Sequence, residues 1–215
     1  MVFRPIFRPR TDGSALVETR SIEFQWFPGF AVSQKQKSIA AFHAAAAAIG
    51  IAKSLEISSK STHALGVAAS AFNLQFAALE GREVTVEAAF QSSKCFENGG
   101  PFLDMLHMAP RDAKRDPRLT SSGPLIGFDF LGEKWALEPK TAFYDWTYVQ
   151  ALRSSDLGDK ILTYDAFTDI EFNSAKSINC QAHSAALFCS LHRRGLLDRA
   201  MASKSAFVEI AYRND

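Results

Sequence analysis

Between Thr85 and Glu97 the chain places an acid, an amide and an amine at regular spacing: Glu87, Gln91 and Lys94. On a helix these are positions i, i+4 and i+7, which stack on one face. A carboxylate there can move a proton or steady a cation, and a neutral amine can attack a carbonyl. The spacing also fits an ordinary surface ion pair spanning two turns. Three features favour a site: the face carries few other charges, the carboxylate lies in the first turn, and Ser70-Ala71-Phe72-Asn73 sits just upstream.

Other polar and aromatic groups offer support. Ser58-Ser59-Lys60 follows a short strand candidate and suits a diphosphate or a sugar, or else a plain polar loop. Ser70 and Asn73 flank Phe72; an aromatic can stack on a base while an amide holds a ribose hydroxyl, and the same residues also suit a turn with a core Phe. Trp135, Tyr144 and Trp146 can stack on a base or fill the core. Asp165, Asp169 and Glu171 supply further carboxylates. His183 and His192 share a helix without a spaced third ligand, so no metal is expected. There is no Walker loop, GxGxxG, GxSxG or paired CxxC, which removes the corresponding enzyme classes.

The elements that must position these groups follow from local patterning. The helix on 85–97 starts at Thr85, a good N-cap, and stops at Asn98-Gly99-Gly100-Pro101. Leu74 to Ala78 and Arg82 to Val84 flank Leu79-Glu80-Gly81 as a hairpin that delivers the chain into it. Residues 1–16 read as an irregular basic arm, Val17 to Phe24 as a strand, and Ser33 to Ile49 as a helix closed by Gly50. Ser54 to Ile57 is a short strand. Residues 101–122 are short helical pieces broken by Pro110 and Pro117, with Arg111, Lys114, Arg115 and Arg118 as the most basic stretch. That stretch fits a solvated face or a contact to nucleic-acid phosphates. Leu125 to Leu131 alternates as a strand and turns at Gly132 towards Trp135. Helices are expected from Pro139 to Leu152, from Leu157 to Tyr164 and, capped by Ser177 or Asn179, to Arg194; Asp165 to Asn173 is extended. One or two further helices end the chain. The expected fold is α+β, predominantly helical, with a small antiparallel sheet.

The 215 residues amount to one compact domain, with 1–53 an N-terminal extension packed on a core of 54–215. The 18 Phe can fill a sizeable core, and a formal net charge of +1 gives no uniformly basic surface, so nucleic-acid contact would need a local patch. Cys95, Cys180 and Cys189 are odd in number and lack metal spacing, as expected of reduced thiols in a cytoplasmic protein. The first ten residues lack the apolar core of a secretory signal, and the Ala-rich run from Ile39 to Ile51 is too short to span a bilayer; no membrane association is expected.

Ser70-Ala71-Phe72-Asn73, the hairpin with Gly81, Val86-Glu87 and Phe90-Gln91-Ser92-Ser93-Lys94-Cys95-Phe96 resemble the NADAR (YbiA-like) family. That family shows a Ser-Asn-Phe segment, a glycine-containing hairpin and a helix reading roughly Glu-x-x-x-Gln-x-x-Lys-Phe. The resemblance covers about 54–194 and is most specific at 70–96. With its N-terminal extension and the Phe167–Asn173 and Ser177–Ala182 segments, the chain looks most like the NADAR antitoxins encoded beside DarT-type DNA ADP-ribosyltransferase toxins. It departs from the family in the order Ser-Ala-Phe-Asn. It also has Thr168 to Asn173 and Ile178-Asn179 where many members carry Trp-Gly and then Gly-Asn.

The resemblance implies cleavage of the N-glycosidic bond between ADP-ribose and a guanine base in DNA, without a cofactor, and a cognate toxin as partner. It makes Lys94 and Glu87 catalytic; Lys94 can act as an acid or form a Schiff base with the opened ribose, and the resemblance favours the second role. It makes Gln91 and Asn73 ligand contacts; Ser58, Ser70, Phe72, Trp135 and Tyr144, singled out above by residue type, join them as candidates, with Asp169, Asn173 and Asn179 from the acid- and amide-rich segment. Two alternatives stand beside it: an N-glycosidase acting on a riboflavin-pathway or other small metabolite, and a non-catalytic ADP-ribose-binding or toxin-blocking antitoxin.

Overall fold

A computed structural model describes residues 1–79, 81–173 and 177–212. In chain order it opens with strands β1 (Val2–Pro9) and β2 (Val17–Phe24), helix α1 (Val32–Ala48), strand β3 (Ser54–Glu56) and helix α2 (Ala64–Ala68). A hairpin of β4 (Gln75–Leu79) and β5 (Arg82–Thr85) leads into α3 (Val86–Ser92) and β6 (Lys94–Phe96). A 3-10 turn at Leu103–His107, α4 (Pro110–Ala113) and α5 (Arg118–Ser121) precede β7 (Leu125–Phe130) and β8 (Glu133–Trp135). Then come α6 (Ala142–Arg153), α7 (Leu157–Ile161), β9 (Ala166–Thr168), α8 (Gln181–Arg193), α9 (Leu197–Ala200) and α10 (Lys204–Tyr212). The fold is α+β. Antiparallel pairs occur in all three sheets, and β3 and β9 add a parallel pair. The expected hairpin turn includes Glu80, which lies outside the described residues.

The largest sheet has the order β2-β1-β9-β3. Successive side chains of a strand point to opposite faces, and β1 uses both. Ile6 joins Phe24, Ile39 and Phe42 beneath α1, whereas Phe7 joins Leu55 and Phe167 in the main core with α6 and α8. The sheet is therefore covered by helices on both sides. The irregular arm expected for residues 1–16 is corrected here: Val2–Pro9 is an inner strand, in register with β2 from Val2↔Phe24 to Pro9↔Val17. Its prolines and arginines hide the strand pattern. Burial of Ile6 and Phe7 and the cross-strand Arg8–Glu18 pair at 3.0 Å hold it in place.

The central helix is shorter than its sequence suggests. Thr85 caps it, accepting from Ala88 N–H at 3.2 Å. It ends at Ser92, and Lys94 stands on β6 instead of a third helical turn. Two effects stop it. Ser92 and Ser93 hydroxyls bond back to the Ala89 carbonyl at 3.0 and 2.7 Å, competing with continued helix. Backbone N–H groups of Phe102 and Asp129, both at 2.7 Å, take the Ser92 and Ser93 carbonyls. Cys180 precedes α8, and neither Ser177 nor Asn179 caps it.

Candidate active site

All seven residues of α3 are buried, including Glu87 (4 % exposed) and Gln91 (5 %), so the acid and amide lie inside the protein and not on a solvated surface face. They face a cleft of about 870 Å³ bounded by α3, β6, α6, the segment after β9 and the turn before β4. The turn at Ser70–Asn73 fixes the start of α3: Glu87 N–H donates to the Ala71 carbonyl at 2.9 Å. Inside the turn Ser70 Oγ and Asn73 Nδ2 both donate to the Val67 carbonyl at 2.8 Å, and Asn73 Nδ2 also reaches Ser70 Oγ at 3.1 Å.

Within the cleft, Glu87 Oε1 accepts from Gln91 Nε2 at 2.8 Å and meets Lys114 Nζ at 3.4 Å. Lys94 Nζ lies 4.9 Å from the Phe90 ring, and among the described residues no carboxylate is within 4 Å of it. Burial pushes the Lys94 amine below its usual range; the Glu87 charge opposes this and the Lys114 charge adds to it. A partly neutral amine is what a lysine nucleophile requires. Lys114 Nζ also sits 4.9 Å from the Phe72 ring, so one cation bridges the acid and the aromatic wall. Gln91 Oε1 is out of water with no hydrogen-bond partner in the described structure. Buried polar atoms are ordinarily paired, so this oxygen is poised to accept from a ligand.

Across the cleft, Asp169 is held by the backbone N–H groups of Glu171 (3.0 Å) and Phe172 (3.1 Å) and by Gln181 Nε2 (3.0 Å). Its carboxyl is raised to about 7, first by burial and then by the charge of Glu56. Glu56, buried behind it, accepts from Thr168 Oγ1 (2.6 Å), Ser58 Oγ (2.7 Å) and Ile170 N–H (2.8 Å), and burial raises its carboxyl too. Gln181 spans the cleft floor, its Oε1 accepting from Ala71 N–H at 2.8 Å. Tyr144 closes the wall, edge-on to Phe90 at 5.2 Å, its phenol pushed up by burial and by Glu87.

A protein-family model described as the DarT1-associated NADAR antitoxin matches residues 2–215. The chain belongs to that family. No curated protein matches it.

In this NADAR antitoxin the cleft gathers Glu87, Lys94, Phe72, Gln91, Tyr144, Asp169, Asn173 and Asn179. Ser58, Ser70, Asn73 and Trp135 are not in its lining. Ser58 serves Glu56, and Ser70 and Asn73 build the turn. Trp135 packs 5.4 Å from Trp146 and 5.7 Å from Phe143. The sequence alone did not mark Lys114, Lys140 and Gln181 as lining the cleft, nor Glu56 as standing behind Asp169. Lys114 was legible only as one of a basic run. Glu56 lies between Leu55 and Ile57, where nothing local marks a functional acid. Among the described residues no group of His, Cys, Asp and Glu could hold a metal ion, and no helix is long and apolar enough to cross a membrane.

Proposed function

We propose that this antitoxin is an N-glycohydrolase that removes ADP-ribose from guanine in DNA and so reverses the modification made by its DarT1 partner. NADAR proteins are generally associated with glycohydrolase activity. The observation that carries the reading is the half-buried Lys94 amine, depressed below its usual range, in one cleft with the buried Glu87 carboxylate. Cleaving an N-glycosidic bond builds positive charge at the anomeric carbon. Glu87 is placed to stabilise that charge or to move a ribose hydroxyl proton. The neutral Lys94 amine then adds to the anomeric carbon as guanine leaves with a proton. Ring opening gives an imine, and water hydrolyses it to free ADP-ribose and the amine. Gln91 Oε1 is an acceptor for a ribose hydroxyl or a base N–H.

The test is incubation with an oligonucleotide carrying ADP-ribosylated guanine. Release of ADP-ribose and unmodified DNA is expected, and borohydride added during turnover should leave an adduct that peptide mapping places on Lys94. No release by the folded protein would overturn the reading. Protection from the toxin by a turnover-dead variant would point instead to neutralisation by direct contact.

A further inference from the structure

A second cavity of about 420 Å³ adjoins the cleft, and Phe172 and Ile178 line both. Its character differs. The cleft contains Glu87, Glu138, Asp169 and Glu171, whereas among the described residues no carboxylate lines the second cavity. It presents the ring of Phe3, 64 % exposed, with Phe172 and with the hydroxyls of Thr19, Ser21 and Thr141. Phe3 and Phe7 share one face of β1, and their cross-strand partners are Glu23 and Thr19. Ile178, 61 % exposed, forms the divide. The side chain of Arg4 points to the other face of β1, that of Ile6 and Ile22 beneath α1, where its guanidinium is 5.4 Å from the Trp26 ring.

We propose that this cavity holds a nucleotide of the DNA strand next to the ADP-ribosylated guanine, its base against Phe3 and Phe172 and its sugar toward the hydroxyls of Thr19, Ser21 and Thr141. The inference rests on the glycohydrolase reading. The large cleft is already near the upper end of small-ligand pockets, enough for ADP-ribose with its guanine. A strand whose modified base enters that cleft must leave over its rim, and the Phe172–Ile178 divide leads to a surface of rings and hydroxyls free of lining carboxylates among the described residues, on which a base can stack. Stacking tolerates any base.

The experiment compares two substrates, ADP-ribosylated guanosine and the same base within a short single-stranded oligonucleotide, for the full-length protein and its Phe3→Ala variant. Phe3 is largely exposed, and matching melting curves confirm the fold. The oligonucleotide should be the better substrate. Phe3→Ala should lower its kcat/KM about tenfold, the scale of one stacked base, and leave the nucleoside unchanged. Oligonucleotide turnover equal to that of the parent overturns the proposal. Equal losses on both substrates also overturn it, because the cavity would then serve ADP-ribose itself. No turnover of either substrate by the parent protein overturns the glycohydrolase reading and this inference with it.

Discussion

Glu87 and Lys94 place opposite demands on one cleft. A charged Glu87 favours a protonated amine, and a nucleophilic Lys94 needs a neutral one. Lys114 reconciles them: it pairs with Glu87 at 3.4 Å and its own charge disfavours protonation of Lys94. Glu87→Gln should lower turnover by roughly 10²-fold, the usual scale for a proton-moving carboxylate, with ADP-ribose still raising the melting temperature. Lys94→Arg should abolish both turnover and borohydride trapping, because a guanidinium stays protonated. Lys114→Met is expected to move the rising limb of the pH–rate profile to higher pH, since a cation that lowers the Lys94 pKa is gone. Residual activity in Glu87→Gln should shift the other way. Glu138, Lys140, Asp169 and Glu171 remain in both variants, so the opposed signs isolate the pair. An unmoved profile in Lys114→Met would assign Lys114 a purely structural place.

At the scale of elements, the decisive junction is between α3 and β6. Helical spacing rightly put Glu87 and Gln91 on one face, bonded to each other at 2.8 Å. It wrongly extended the helix to Lys94. The strand carrying Lys94 is registered by β7, where Lys94 faces Phe128, and β7 is some thirty residues away in sequence, beyond any local signal. The lysine backbone is also packed against Gly100: a Cβ there would meet the Lys94 carbonyl at 2.2 Å, and the Gly100 φ is +87°. Gly100→Ala should therefore displace β6. The expected result is a stability loss of about 1–3 kcal/mol in urea titration, as for other overpacked sites, with kcat falling more than ADP-ribose affinity. A fully active, equally stable Gly100→Ala protein would show that the strand has slack.

For the whole molecule, the parallel pairing of β3 with β9 brings Glu56 and Asp169 together from 113 positions apart in the chain. Asp169 has a folded pKa of about 7 against an ordinary 3.8. A group raised on folding contributes stability that is fully present below the unfolded value and is lost as pH rises through the folded one. The melting temperature should therefore fall between about pH 4 and pH 7, and Asp169→Asn should flatten that fall whatever it does to the absolute value. An unchanged slope would mean that the site ionises without cost to the fold. β1 ties the layers on either side of this sheet: Ile6 is buried beneath α1, so Ile6→Ala should cost about 2–5 kcal/mol.

What the sequence determined by itself was local. Thr85 capped its helix, the runs either side of Gly81 paired as two strands, Gly132 turned β7 into β8, and the Glu87–Gln91 pair followed from helical periodicity. The motif at 70–96 pointed to the family. Tertiary structure decided the rest, because those features depend on partners far along the chain. Val2–Pro9 is a strand only because β2 and β9 supply its neighbours. Lys94 leaves the helix because β7 offers its backbone a ladder. Gln181 holds Asp169 and reaches Ala71 across 110 positions. The lowered amine of Lys94 and the raised carboxyl of Asp169 arise from burial, and burial exists only once the layers have closed.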